Sequence, residues 1–147
     1  MTFKVSTGLR NTMLSSDCLA LAMGGGFLKI YDGVEPASAD AALSGNTLLC
    51  TISESDDGVT GLTFDAAVAG VLPKAAAEVW EGTNVASGTA TFYRFVRTGD
   101  TGALSTTDLR MQGTIGLAGA DMNMTSVTLV AAALQPINYF VVALPTA

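Results

Sequence analysis

The sequence contains no histidine in its 147 residues. Histidine is the commonest general base in enzymes and a frequent ligand of zinc and copper. Its absence excludes Ser-His-Asp and Cys-His catalytic arrangements, together with most zinc and copper sites. We therefore expect a protein that is not an enzyme, with no catalytic residues, no metal site and no cofactor.

Charged residues are also scarce. They make up 14% of the chain, against about a quarter in an average domain. The net charge is −6, and a nucleic-acid binder needs clustered Lys and Arg, so that class is excluded. The low charge fits a surface that contacts a partner, or one covered by Ser, Thr, Asn and Gly, and both interpretations stay open.

The seven basic residues are scattered along the sequence. Three of them, Arg94, Arg97 and Arg110, are candidates for one small basic patch. Because all three fall in or beside alternating segments, we expect them instead at solvated positions of strands.

Cysteines and long hydrophobic runs are few. Cys18 and Cys50 belong to no CxxC motif, so we expect both to be small core residues, and a disulfide between them stays open. No hydrophobic run approaches the length of a membrane span, and residues 19–23 are too short for a signal-peptide core. We expect a chain that is made in a cytoplasm and is soluble there, with no membrane partner.

Two acidic clusters are the remaining candidates for chemistry: Glu54, Asp56 and Asp57, and then Glu78 and Glu81. A glycosidase needs two carboxylates that face each other across a groove, which neighbours in one turn do not provide. We expect solvated turns. Calcium at Asp56 and Asp57 is the alternative, but the EF-hand spacing is absent.

Glycine and aromatic residues suggest two further sites. The run Gly24-Gly25-Gly26 resembles a phosphate loop, but it follows a predicted helix and lacks GK[ST], so we expect a helix stop. A sugar-binding platform would use the aromatic side chains of Tyr31, Trp80, Tyr93 and Tyr139. Packing in the core is the commoner use of such residues.

The hydrophobic pattern predicts a mainly β protein. A helix is expected over residues 6–23, capped by Ser6 or Thr7 and with a break near Ser15. Eight short strands follow, separated by Gly and Asx turns, at residues 27–31, 47–53, 62–64, 89–97, 109–115, 122–124, 127–129 and 138–144. We expect one domain over residues 1–147, with the N-terminal helix in 1–26 and an antiparallel β-sandwich or jelly roll in 27–147.

Several segments together resemble a family of small structural proteins of tailed bacteriophages. They are FLKIYDGVEPASADAALSGNTLL at 27–49, ASGTATFYR at 86–94, QGTIGLAGADMNM at 112–124, and a last strand that ends in Leu144-Pro145. The order of the segments carries the resemblance, because each one alone is merely rich in glycine and alanine. The resemblance transfers no catalytic residue.

The resemblance implies a virion protein, and we expect a capsid decoration (cement) protein that stabilises the head lattice. By analogy with proteins on three-fold lattice positions, we expect a homo-oligomer, a trimer, with the major capsid protein or other virion proteins as partners. The alternative is a tail component, such as a tail-tip, baseplate or tube-associated subunit. A second alternative is a receptor- or carbohydrate-binding module, which needs an exposed aromatic groove around Trp80.

Overall fold

The computed structural model describes residues 3–144, which are mainly β, with antiparallel sheets and two short helices near the N-terminus. Pro145, which follows the last predicted strand, lies outside the described residues. In chain order the elements are β1 (Lys4–Val5), α1 (Thr7–Ser15), α2 (Leu19–Met23), β2 (Phe27–Tyr31), β3 (Leu48–Glu54), β4 (Val71–Pro73), β5 (Trp80–Thr83), β6 (Gly88–Thr89), β7 (Phe92–Val96), β8 (Arg110–Gly116), β9 (Met122–Asn123), β10 (Thr128–Leu129), β11 (Leu134–Pro136) and β12 (Val141–Ala143).

One large sheet organises the molecule, in the order β1-β8-β7-β2-β3-β5-β11. All pairs along this path are antiparallel, and only the short β9, beside β8, runs parallel to its neighbour. β2 lies near the middle, with Leu28 opposite Ile52 of β3 and Phe95 of β7. The predicted fold class, mainly β with antiparallel sheets, is confirmed.

The central strand β7 is buried on both faces, as its two-sided apolar pattern predicts. Tyr93 and Phe95 contact an aromatic core that also contains Phe64, Trp80 and Phe140, with ring centroids 5.3–6.4 Å apart. The intervening residues of the strand point to the opposite face. The sheet therefore has one aromatic face and a second face of different chemistry.

Two small sheets complete the sandwich on the aromatic face. β4 pairs with β12, and β6 pairs with β10. Leu72, Val142 and Leu129 from these sheets belong to the same buried cluster as Leu28 and Phe95 of the large sheet. The core therefore lies between the large sheet and the two small ones.

The N-terminal segment forms two helices, as the predicted break near Ser15 implies. Ser6 caps α1 by accepting a hydrogen bond from the Leu9 N–H at 3.1 Å. α2 ends at Met23, and Gly25 takes a positive φ of 79°. The glycine run is thus a helix stop, as predicted. The segment also contains β1, which the sequence does not predict and which pairs with β8.

Some short strands differ from the predictions. β4, β5 and β11 are not predicted, whereas residues 62–64 make only isolated bridges, to Gly26 and Lys74. The last strand is shorter than expected and only alternately buried, with Tyr139 72% exposed beside the buried Phe140.

Candidate interaction surface

The predicted acidic clusters form no shared site, and four of their five carboxylates, those of Glu54, Asp56, Asp57 and Glu78, accept hydrogen bonds from turns or neighbouring strands. Asp57 accepts the N–H groups of Val59 and Thr60, and Asp56 accepts the N–H of Thr83 at 3.0 Å. Within residues 3–144 there is no group of three or more His, Cys, Asp or Glu suited to holding a metal ion. These carboxylates therefore stabilise nearby turns and strands by accepting backbone N–H groups.

Glu78 links a loop to the core through its carboxylate. It accepts hydrogen bonds from the N–H and hydroxyl of Thr63, at 2.9 and 2.6 Å, and from the indole N–H of Trp80 at 2.8 Å. Burial alone would raise the pKa of Glu78, but these bonds and the nearby Lys74 outweigh it and hold the pKa below its usual value. The group is therefore ionised and structural.

The prediction that the arginines lie at solvated strand positions is wrong for Arg94 and Arg110, which are fully buried. Both lie on the second face of the large sheet, which is covered by a loop, residues 32–47, that we call the strap. Arg97 is separate from them and donates to the carbonyls of Ala22 and Gly24 behind α2. Two of the three predicted arginines converge, and they do so inside the protein.

Arg94, Arg110 and Gln112 form an arginine layer under the strap. Arg110 makes a two-point ion pair with Asp100, at 2.5 and 3.0 Å. Arg94 Nε donates to Gln112 Oε1 at 2.7 Å, and its Nη2 donates to the Ala41 carbonyl of the strap, also at 2.7 Å. These bonds attach the strap to the sheet.

Arg94 is less well satisfied than Arg110. Its Nη1 is buried and has no hydrogen-bond partner in the part of the chain that the structure describes. Burial and, secondarily, the nearby charge of Arg110 lower the pKa of Arg94. The layer is enclosed by strap and sheet, so it is a structural feature of the interior rather than an open site.

The two cysteines are both free, and they differ in environment. Cys50 is buried, as predicted, and burial raises the pKa of its thiol to about 12. The prediction is wrong for Cys18, which is exposed because it lies at the corner between α1 and α2, just before the first residue of α2. A Cys18–Cys50 disulfide is not present.

The aromatic candidates are mostly in the core. Trp80, Tyr31 and Tyr93 are buried, and only Tyr139 is exposed. Trp80 is enclosed by Phe64, Phe95 and Phe140, so it provides no platform for a sugar ring. Packing in the core, the use of these residues that the sequence analysis favours, is thus confirmed for Trp80, Tyr31 and Tyr93.

The most distinctive external feature is an apolar groove of about 450 Å³ at the corner between the helices. Met13, Leu19 and Ala20 line it from the helices, and Leu72 and Val142 line it from the small β4–β12 sheet. Among the described residues that line it, Asp65 alone carries a charge. The groove is recessed and apolar, and its lining includes two residues of the buried core, Leu72 and Val142.

Large apolar side chains lie exposed on the segments that form this groove. The exposed fractions are 88% for Leu14, 69% for Leu21, 72% for Val68 and 60% for Leu144. We call the groove and these side chains the apolar face. Clustered exposed apolar residues mark sites of association. The helical spacing predicts the helices but not this face, which also needs the 65–70 loop and β12 beside them.

No protein-family model, no curated protein and no solved structure matches this chain. Among the described residues, no helix is long and apolar enough to span a membrane.

Proposed function

We propose that this chain is a structural protein of a tailed-bacteriophage virion, a capsid decoration protein that binds the outside of the assembled head. The observation that carries the proposal is the apolar face, which presents Leu14 and Leu21 to solvent on a charge-poor β domain. Such a face favours a protein partner. The resemblance of segments 27–49, 86–94 and 112–124 to small phage structural proteins supports the choice of particle.

The proposed role is mechanical rather than catalytic. A subunit that binds only the assembled lattice stabilises that lattice by mass action. Glu78, one of the carboxylates on which an enzyme of this sequence would depend, is instead held by Thr63 and Trp80. The proposed partners are further copies of the chain and the major capsid protein.

The test is the location and number of copies in purified virions. We expect gold-labelled protein on the head in electron micrographs, and a copy number of the same order as the major capsid protein by quantitative mass spectrometry. Heads stripped of the protein should lose their contents at a lower temperature, and adding the protein back should restore them. Label found only on the tail would refute the head assignment and support the tail-component alternative.

The absence of catalysis has its own test. Glycan cleavage by the purified protein that is lost in both Glu78→Gln and Glu81→Gln would overturn a non-enzymatic role. We expect no cleavage by the wild-type chain or by either variant.

A further inference from the structure

A cleft of about 290 Å³ lies between β9 and the segment that runs from β11 to Tyr139. β9 pairs with β8 near one end of the large sheet, and β11 is the edge strand at the other end, so the cleft lies where these two parts come together. Its volume is at the lower end of the range of about 300–1,000 Å³ that small-molecule sites occupy. The cleft therefore suits one compact ligand.

The lining of this cleft, which we call the amide cleft, is apolar toward the core and polar toward solvent. Three buried apolar residues line it from the core, namely Met122, Met124 and Ile137. The exposed or half-buried lining residues include five that are polar and uncharged: Asn123, Thr125, Gln135, Asn138 and Tyr139. Among the described residues, no Asp, Glu, Lys or Arg lines it. The lining therefore favours a neutral ligand.

The amide side chains offer hydrogen-bond donors and acceptors together. Asn123 Oδ1 accepts the Ala120 N–H at 3.1 Å, which leaves its Nδ2 as a donor. Gln135 Nε2 donates to the Pro136 carbonyl at 2.9 Å, which leaves its Oε1 as an acceptor. Within residues 3–144 the side chain of Asn138 makes no hydrogen bond, so it offers both. This mixture matches hydroxyl groups, because each hydroxyl donates and accepts.

Tyr139 adds an exposed aromatic ring on an anchored backbone. Its side chain is 72% exposed, whereas Ile137 and Phe140 on either side are 4% and 2% exposed. The Ile137 N–H donates to the Trp80 carbonyl at 2.7 Å, and the Phe140 carbonyl accepts the Lys74 N–H at 2.9 Å. The ring is thus held at the surface by a fixed backbone, which lowers the entropy lost when a ligand binds.

The same lining disfavours other classes of ligand. A phosphate, a carboxylate or a metal ion would meet no charged partner in the cleft. An aliphatic ligand would cover the amide groups and leave their hydrogen bonds unmade. A peptide that added a strand to β11 would find no N–H at Pro136. What remains is a neutral ligand that is rich in hydroxyl groups and has an apolar face.

A pyranose sugar ring has this combination of groups. Its hydroxyls lie around the edge of the ring, and its C–H groups form apolar patches on the two faces. Those C–H groups pack on the face of an aromatic ring, whose π-electrons carry partial negative charge. Two adjacent hydroxyls can donate to the oxygen and accept from the nitrogen of one amide side chain.

We propose that the amide cleft binds a neutral sugar ring of a glycan, with one face of the ring on Tyr139 and two adjacent hydroxyls on Asn138. Asn123 and Gln135 supply a further donor and acceptor. Tyr139 is thus the sugar-binding aromatic residue, in place of the buried Trp80. The proposal goes beyond head binding and does not depend on the phage assignment.

The first test is isothermal titration calorimetry of the full chain with the methyl glycosides of glucose, galactose, mannose and N-acetylglucosamine. We expect at least one of them to bind with a dissociation constant of about 0.1–10 mM, the weak affinity of a single small ligand. Tyr139→Ala should raise that constant at least about tenfold, because it removes the aromatic face. Tyr139→Phe is the matched control, and it should stay within about threefold of the wild type because it keeps the ring.

Asn138→Ala should also raise the dissociation constant at least about tenfold, because the hydroxyls lose both partners at once. Asn11→Ala is its control, since Asn11 is an exposed asparagine of α1 that does not line the cleft. It should leave the dissociation constant unchanged. Circular dichroism should find all variants folded, because the three side chains are exposed.

Nuclear magnetic resonance can locate the bound sugar. The chain has three tyrosines, and Tyr31 and Tyr93 are buried, so labelling the tyrosine rings gives one exposed reporter, Tyr139. The Tyr139 ring signals should shift during the titration with the same dissociation constant as in calorimetry. The signals of Tyr31 and Tyr93 should not follow that curve.

The neutral lining gives a last discriminating measurement. The dissociation constant should change by less than about twofold between about 50 and 500 mM NaCl, because no charged group lines the cleft. No binding by any of these glycosides, binding indifferent to Tyr139→Ala, or a glucuronide bound more tightly than the glucoside would each overturn the proposal. Virion location is measured separately, so a failure of the head assignment is distinguishable from a failure of this site.

Discussion

At the scale of single residues, the polar interior depends on one ion pair. Arg110 is fully buried and is neutralised by the nearly buried Asp100, while its second carboxylate, Asp108, is half exposed. Removing one partner of a buried pair leaves an uncompensated charge, which is far more costly than losing an exposed pair. The two carboxylates therefore differ in their importance although both contact the same guanidinium.

We expect Asp100→Asn to lower the free energy of unfolding by about 3–5 kcal/mol, because it leaves Arg110 buried without its main counter-ion. Asp108→Asn is the control and should cost about 1 kcal/mol or less, because that carboxylate is solvated. Urea denaturation followed by tryptophan fluorescence measures both. Equal losses for the two variants would contradict this account of the arginine layer.

Glu78 makes the stability depend on pH. Its pKa is lower in the folded protein than the usual value of 4.5, so its contribution is fully present above that value. The contribution is lost as the pH falls through the folded pKa. We expect Glu78→Gln to cost about 1 kcal/mol at pH 7 and progressively less in acid, because the wild type then loses the same bonds.

The measurement for Glu78 is a series of urea titrations between pH 7 and pH 3, comparing the variant with the wild type. Glu81→Gln serves as the control, because it removes a carboxylate from β5, three residues from Glu78, and leaves the bonds of Glu78 to Thr63 and Trp80 in place. A difference between Glu78→Gln and wild type that stays constant across the series would count against the pKa shift.

At the scale of elements, α1 packs so closely on the 105–109 loop that its second residue must be glycine. A Cβ at position 8 would lie 2.3 Å from the Thr107 carbonyl oxygen, which is backbone and cannot turn aside. In an isolated helix Gly→Ala stabilises by about 1 kcal/mol. In this protein the steric overlap outweighs that gain, so Gly8→Ala should lower the free energy of unfolding.

We therefore expect Gly8→Ala to destabilise the protein by about 1–3 kcal/mol, the usual cost of overpacking. Asn11→Ala, at an exposed position of the same helix, is the matched control and should be neutral or slightly stabilising because alanine is the better helix former. Thermal unfolding followed by circular dichroism measures both. A rise in Tm for Gly8→Ala would mean that α1 does not pack against Thr107 as described.

The sequence predicted those elements whose pattern is local. β2 and β7 carry clear alternation, and the two helices carry a cap and a glycine stop, so all were found. β5 was not predicted, because Gly82 within it interrupts the alternation of apolar and polar residues. A Cβ there would lie 2.2 Å from the Thr51 carbonyl oxygen, so the glycine is required by the neighbouring strand. Such a strand is defined by contacts distant in sequence.

At the scale of the whole molecule, the predicted class was right, and the chemistry of its two sheet faces was not foreseen. Arg94 and Arg110 alternate with apolar residues, as solvated strand residues do, and only the strap makes them interior. The apolar face likewise joins α1, α2 and β12, which lie at opposite ends of the sequence. Composition left open whether the charge-poor surface meets a partner, and the fold leaves Leu14, Leu21 and Leu144 exposed on the segments that form the groove.

Low charge has a further consequence for the molecule in solution. With a sequence pI near 4.3 and an exposed apolar face, we expect the least solubility close to that pH, where repulsion between molecules vanishes. Light scattering across pH 3–8 should peak there. Val59→Lys, which adds a positive charge at an exposed turn, should move the peak to higher pH, whereas Val59→Ala should not. A scattering peak that stays at the same pH in Val59→Lys would contradict an electrostatic origin of the low solubility.

The strap is attached to the arginine layer mainly through its backbone. Arg94 and Arg110 donate to the carbonyls of Ser38, Ala41 and Ala39, and Gln112 donates to that of Pro36. Every residue offers the same carbonyl oxygen whatever side chain it carries. These bonds therefore do not depend on the outward-facing side chains of the strap. Exposed strap residues without such a bond and without a positive φ, such as Val34 and Ala42, can therefore change in evolution, or carry a grafted peptide, while the sheet beneath continues to hold the loop in the same shape.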